Sequence, residues 1–174
     1  MSGLDELDVA LLNALQGHPR AGHLELSRLT GVARATVQSR IEKMESAGVI
    51  TGYGPDIDLH AAGYTVQAFV TLEIAQGALH EVRDVLERHP AVLDAFATTG
   101  TGDVLCRMAA RNQEELQEAL LEVTRSPHIA RSTSVVVLST VVEPRALPLL
   151  ATHARGGGRA PAYRDRKSGR RPTR

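Results

Sequence analysis

The apolar residues of this chain change their spacing once, near residue 60, and that change restricts the fold more than any other feature. Before it they recur every three or four positions, as on one face of a helix. After it, alternation at every second position appears between further helical stretches. Both periods in separate blocks predict an α+β chain with two cores, the first helical and the second a sheet covered by helices. The 174 residues suffice for two small domains.

In the first block Leu4, Leu7, Leu11, Leu12 and Leu15 share one face and predict a helix over residues 5–15, stopped by Gly17 and Pro19. A short helix over 24–30 turns Leu26 and Leu29 inward, and Gly31 ends it at a sharp turn. A third helix over 34–47 carries Val37, Ile41 and Met44 as its core stripe and closes at Gly48. Residues 49–53 then predict a short strand, and Gly54-Pro55 a turn.

In the second block Val66, Ala68, Val70, Leu72 and Ile74 alternate with Thr65, Gln67, Thr71 and Glu73, which predicts a half-buried strand over 65–74. A helix over 78–88 follows, with Leu79, Val82 and Leu86 inward and His89-Pro90 at its end. Strands over 92–98 and 104–110 flank a glycine-rich turn. A helix over 113–125 buries Leu116, Leu120 and Val123 before Ser126-Pro127 stops it. The last strand, 133–142, is apolar on both faces over 135–138, which predicts a central place in the sheet. The order βαββαβ is ferredoxin-like. The expected organisation is therefore a three-helix winged helix-turn-helix domain over 1–60, a ferredoxin-like domain over 61–153, and a tail over 154–174.

The net charge of zero conceals a division. Residues 155–174 hold eight Lys or Arg and one acid, which leaves 12 basic and 19 acidic groups before them. A tail rich in Gly, Arg and Pro cannot bury a core and is expected to be disordered, either a plain solvated extension or a nucleic-acid-binding arm. With 43% hydrophobic and 23% charged residues, the chain as a whole has the composition of a soluble globular protein. No apolar run reaches the ~18 residues that cross a bilayer. The acidic start does not resemble a signal peptide, so the cytoplasm is the expected compartment and no membrane partner is expected.

Enzymatic signals are thin. Gly100-x-Gly102 lacks the third glycine of a dinucleotide fingerprint, since Leu105 stands there, and no Gly-x-Ser-x-Gly or Walker sequence occurs. His18, His23, His60, His80, His89, His128 and His153 show no metal-ligand spacing and read as structural or surface residues. Cys106, the only cysteine, reads as a small buried apolar side chain. No catalytic residue, metal or cofactor is assigned.

Three short helices with a glycine turn between the second and third form the helix-turn-helix pattern, whose last helix enters the major groove. On that helix Ala35, Thr36 and Ser39 permit close approach, and Gln38 offers paired hydrogen bonds to adenine. Arg34, Arg40 and Lys43 have the reach for phosphates or guanine. No acid occurs from residue 34 to 41, whereas Glu42 and Glu45 follow, so the N-terminal half of the helix is the part suited to the groove. An ordinary core helix with a solvated polar face is the alternative on periodicity alone.

The same residues carry a resemblance. Leu4-Asp5-x-x-Asp8-x-x-Leu11-Leu12, then Arg20, Glu25-Leu26, Gly31-Val32 and Val37-x-x-Arg40-Ile41-x-x-Met44-Glu45-x-x-Gly48-Val49-Ile50-x-Gly52-Tyr53, resemble the DNA-binding half of the Lrp/AsnC (feast/famine) transcription regulators. The second half is similar to that family's ferredoxin-like module, with Thr99-Gly100-Thr101-Gly102-Asp103 at its glycine–aspartate hairpin and Arg131-Ser132-Thr133-Ser134 at its Arg-Thr-x-Thr stretch. The resemblance covers roughly residues 4–150. It implies a regulator of double-stranded DNA at a palindromic promoter element. It also implies a homodimer formed mainly through the second domain, with further assembly to an octamer open, and an amino acid or related metabolite as effector. The implied effector pocket comprises Gly100, Thr101, Gly102 and Asp103, with Ser132, Thr133 and Ser134 as weaker candidates. Glycine-freed N–H groups suit a carboxylate and Asp103 suits an ammonium. Family members that bind amino acids commonly flank that aspartate with aromatics, whereas Gly102 and Val104 stand here, so a different ligand or none remains open. A turn-capping role for Asp103 is the bland reading.

Two other functions fit the same architecture. Sirohaem decarboxylases resemble these regulators in both domains, and would need basic residues and a histidine such as His60 or His128 lining a cleft. A metabolite-sensing oligomer acting through protein partners would keep the helices without reading DNA; salt-dependent DNA affinity separates it from a regulator.

Overall fold

Asp5 starts the first helix. Its carboxylate accepts the backbone N–H of Asp8, while the Asp8 carboxylate accepts the N–H of Asp5, a reciprocal cap that satisfies two of the helix's orphan donors. The computed structural model describes residues 3–152 and Ala154; the expectations for His153 and the basic tail fall outside them. Helix α1 spans Glu6–Gly17, α2 His23–Thr30 and α3 Arg34–Ser46. Gly31 ends α2 in the left-handed region at φ 69°, and the buried Ser27 hydroxyl donates to the Val32 carbonyl across the turn. Leu11, Leu26, Val32, Val37, Ile41 and Met44 form the core between the three helices. Leu29, expected inward, is exposed, because α2 is too short to bury more than Leu26 and Ser27.

The strand expected over 49–53 is not formed. The N–H groups of Val49 and Ile50 turn back onto the Met44 carbonyl at the end of α3, and among the described residues no strand of this unit offers them a ladder. Tyr53 donates its hydroxyl to Glu45 instead. The described residues from Glu143 onward belong to this same helical unit, where a short helix α6, Leu147–Thr152, lies against α1.

The second unit, Pro55–Val142, is built in the order β1 Val66–Ile74, α4 Leu79–Arg88, β2 Val92–Ala97, β3 Val104–Ala110, α5 Gln113–Thr124 and β4 Ile129–Val136. The sheet order is β2-β3-β1-β4, with every neighbouring pair antiparallel, which is the ferredoxin-like arrangement. One face carries Ala68, Val70, Leu72, Val104, Cys106 and Met108, buried against Val82 and Leu86 of α4 and Leu116, Ala119 and Val123 of α5. Burial and the neighbouring charge of Asp94 push the Cys106 thiol up to about 11, so it stays a neutral thiol. Leu79 sits at the first turn of α4 and is exposed, not inward as expected.

The position of β4 is also a correction. It begins at Ile129, ends at Val136, and lies at the edge beside β1 rather than centrally. Its apolar residues on both faces, expected to mark a central strand, are exposed: Val135 at 64% and Val136 at 44%.

Candidate functional site

Helix α3 divides into two faces. Val37, Ile41 and Met44 are buried in the helical core, while Arg34, Ala35, Gln38, Ser39 and Lys43 are exposed and Thr36 half-buried. No side chain caps its N-terminus and no acid lies in its first turn, so unpaired N–H groups and the positive end of the helix dipole stand open there. Gln38 donates from Nε2 to Glu42 Oε1 at 2.9 Å, one turn along the exposed face.

Arg40, expected at the margin of the core stripe with reach for phosphates or guanine, is turned onto α1. Its Nη1 donates to Asp5 at the start of α1 and to Asp8 Oδ1 at 3.0 Å. Burial pushes the Asp5 carboxyl up, but the Asp8 N–H and the Arg40 guanidinium outweigh it and hold the group below its ordinary value of 3.8. Asp5 and Asp8 were not singled out from the sequence as partners of Arg40. A signal for them exists: Asp8 falls on the Leu4, Leu11 and Leu15 face of α1, where a carboxylate can be buried only if a cation and hydrogen-bond donors meet it.

The expected effector residues gather at one end of the sheet. The turn before β3 brings Asp103 beside the end of β1. There Asp103 N–H donates to the Leu72 carbonyl, and Asp103 Oδ2 accepts the N–H of Ile74 at 2.8 Å. Asp103 thus ties its turn to β1 rather than capping the turn itself. Gly102 is buried against β1 so tightly that a Cβ there would stand 2.1 Å from the Thr71 methyl. On the other side of β1, Ser132 pairs with Leu72, Thr133 with Thr71 and Ser134 with Val70. The hairpin and the serines therefore flank one central strand, two strand spacings or about 10 Å apart. Gly100, Thr101, Asp103, Ser132, Thr133 and Ser134 are all exposed. A separate groove of about 590 Å³ lies between α4 and β2, lined in part by Val82, Leu86, Ala95 and Ala97, and none of the expected effector residues line it. His60 is exposed and His128 half-buried at the start of β4.

Residues 4–45 match the AsnC-type helix-turn-helix domain, and residues 67–147 match the Lrp/AsnC ligand binding domain. The HTH-type transcriptional regulator FL11 of Pyrococcus horikoshii is 32% identical over 146 residues, covering 84% of this chain and 97% of that protein. The chain belongs to the Lrp/AsnC family. Escherichia coli AsnC superposes with a TM-score of 0.79 at 28% identity, over 84% of this chain and all of AsnC. A transcriptional regulator of Neisseria meningitidis, solved as its L-Met complex, superposes with a TM-score of 0.76 at 25% identity, over 84% of this chain and 97% of that one. This Lrp/AsnC protein is accordingly a DNA-binding transcription regulator whose helix-turn-helix is α2, the turn at Gly31 and α3. Its second unit is the family's ligand-binding domain. Among the described residues no helix is long and apolar enough to cross a membrane.

Proposed function

We propose that the protein reads a promoter element in the major groove with the exposed face of α3, and that a small metabolite binding at the end of the sheet modulates this. The observation that carries the DNA reading is the division of α3 into a buried apolar stripe and an acid-free outer face from Arg34 to Ser39. Ala35 and Ser39 let the backbone come close, Thr36 and Gln38 present groups to base edges, and Arg34 and Lys43 meet phosphates. The open N-terminus of α3 suits a phosphate for the same electrostatic reason.

Support for an effector comes from the clustering of the hairpin Gly100, Thr101, Gly102 and Asp103 with Ser132, Thr133 and Ser134 around β1, and from the relative solved with L-Met. An amino acid suits this place: exposed hydroxyls and turn N–H groups for its carboxylate, Asp103 for its ammonium. Asp103 would serve with the oxygen that Ile74 leaves unused.

The functional unit is a homodimer, with assembly to an octamer a further step. The sheet face away from the helices supports this, because Phe69 at 43% and Phe96 at 57% exposure lie on it with Val135. A dimer with two-fold symmetry places two α3 helices on a palindromic element. The relatives are named as regulators and not as enzymes, which favours this reading over a tetrapyrrole enzyme of the same architecture.

The test is binding of the purified chain to its own upstream DNA against a scrambled duplex, across salt and with an amino-acid panel. Preference for the upstream duplex at physiological salt supports the regulator, and a shift by one amino acid supports the pocket. Equal binding to both duplexes would sink it.

A further inference from the structure

We propose that Arg40 is a positioning residue, not a DNA contact. Held by Asp5 and Asp8, it sets the orientation of α3 on which sequence discrimination depends. The inference rests on the reading of α3 as the groove helix.

Three observations carry it. One guanidinium nitrogen, Nη1, donates to both carboxylates across 35 and 32 positions of sequence, tying α3 to the first turn of α1. Asp8 is only 2% exposed, so its charge is out of solvent and depends on that donor together with the Asp5 N–H. Each carboxylate also gives its other oxygen to the α1 cap: Asp5 Oδ1 accepts from Asp8 N–H, and Asp8 Oδ2 from Asp5 N–H. The guanidinium therefore meets two acceptors that the helix cap itself holds in place.

Apart from the exposed Tyr53–Glu45 hydrogen bond at its C-terminal end, the rest of the α3 anchorage among the described residues is apolar. Val37, Ile41 and Met44 pack against Leu11 and Leu26, and such contacts hold a helix close without fixing its rotation sharply. A rotation of about 20° about the axis moves side-chain tips at a radius of ~5.5 Å by about 2 Å. That exceeds the tolerance of a hydrogen bond to a base edge, whose donor–acceptor range is about 0.5 Å wide. Long Lys and Arg side chains follow a phosphate across the same displacement. Loss of the tie therefore costs discrimination between sequences and spares non-specific binding.

Three variants of the full chain test this by fluorescence anisotropy on upstream and scrambled duplexes across salt, with circular dichroism to verify folding. Arg40→Ala is expected to weaken upstream binding about tenfold or more, leaving the scrambled affinity and the salt slope unchanged. Arg40→Lys is expected to retain most of the discrimination, because both contacts come from one nitrogen and an ammonium can bridge both oxygens. Asp5→Asn decides the matter if the alanine variant fails to fold. Asparagine keeps a good helix cap through its one oxygen but puts an amide NH2 donor where Asp5 Oδ2 meets Arg40. It is expected to lower upstream affinity several-fold and leave scrambled affinity alone.

If Arg40 instead grips a phosphate, Arg40→Ala lowers the salt slope by about 0.9 and weakens both duplexes together, and Asp5→Asn strengthens both by releasing the guanidinium. Either result overturns the proposal, as does discrimination that survives Arg40→Ala intact. A wild-type chain that does not discriminate at all would overturn the reading of α3, and this inference with it.

Discussion

At the scale of single residues, Gly102 is the glycine of the second unit with least room for a side chain. An added Cβ would stand 2.1 Å from Cγ2 of Thr71, a β-branched residue on a central strand that has little freedom to move. Gly102→Ala is therefore expected to destabilise the chain by about 1–3 kcal/mol in a denaturant titration. Combining it with Thr71→Ser, which deletes the offending methyl, should recover most of the loss; no recovery would mean that the clash is not the cause. The sequence placed Gly102 in a turn, but its contact with Thr71 joins residues 31 positions apart and has no local signature. The turn at Asp103 was legible in the sequence, but its bond to Ile74 N–H on β1, 29 positions away, was not. Asp103→Ala should cost about 1 kcal/mol of stability by removing that bond, whatever it does to an effector.

At the scale of elements, the helix ends carry the clearest tests. Gly31 closes α2 at φ 69° with open space around its α-carbon, so Gly31→Ala meets only the backbone penalty. About 1 kcal/mol should be lost, read as a lower Tm with α2 and α3 otherwise intact. The N-terminus of α1 predicts a pH dependence. The Asp5 carboxyl is held below 3.8 in the folded chain, so the unfolded chain binds its proton first as pH falls. Stability from this group is complete above 3.8 and is lost as pH drops through that value toward the folded one. A thermal-melt series through this window should show Tm falling in the wild type and a shallower fall in Asp5→Asn; parallel curves would assign the acid limb to other groups. Helix periods and caps made these elements readable to within a residue or two, and β3 falls on the residues expected. The strand expected over 49–53 failed because a strand needs a neighbour, and apolar composition does not supply one.

At the scale of the whole molecule, the exposed sheet face holds the prediction. Phe69, opposite Arg107 on β3 and Val135 on β4, occupies the middle of that face. If it is covered by a second copy, Phe69→Asp should shift the chain toward monomer in sedimentation velocity while leaving its circular dichroism spectrum unchanged. An unaltered oligomer would move the interface elsewhere. The apolar run over 135–138 was read as the mark of a central strand, whereas β4 lies at the edge with Val135 and Val136 exposed. A sequence pattern records how apolar a face is and not whose atoms meet it.

The two-block organisation, the helix-turn-helix with its glycine turn, the βαββαβ order and the acid-free face of α3 all follow from the sequence alone, because period, caps and turn chemistry act between residues a few positions apart. Tertiary structure decided the edge position of β4, the exposure of Leu29 and Leu79, the packing of α6 on α1, and the pairing of Arg40 with Asp5 and Asp8. Each of these depends on partners distant along the chain, chosen by the competition of whole surfaces for burial and of buried charges for a counter-charge.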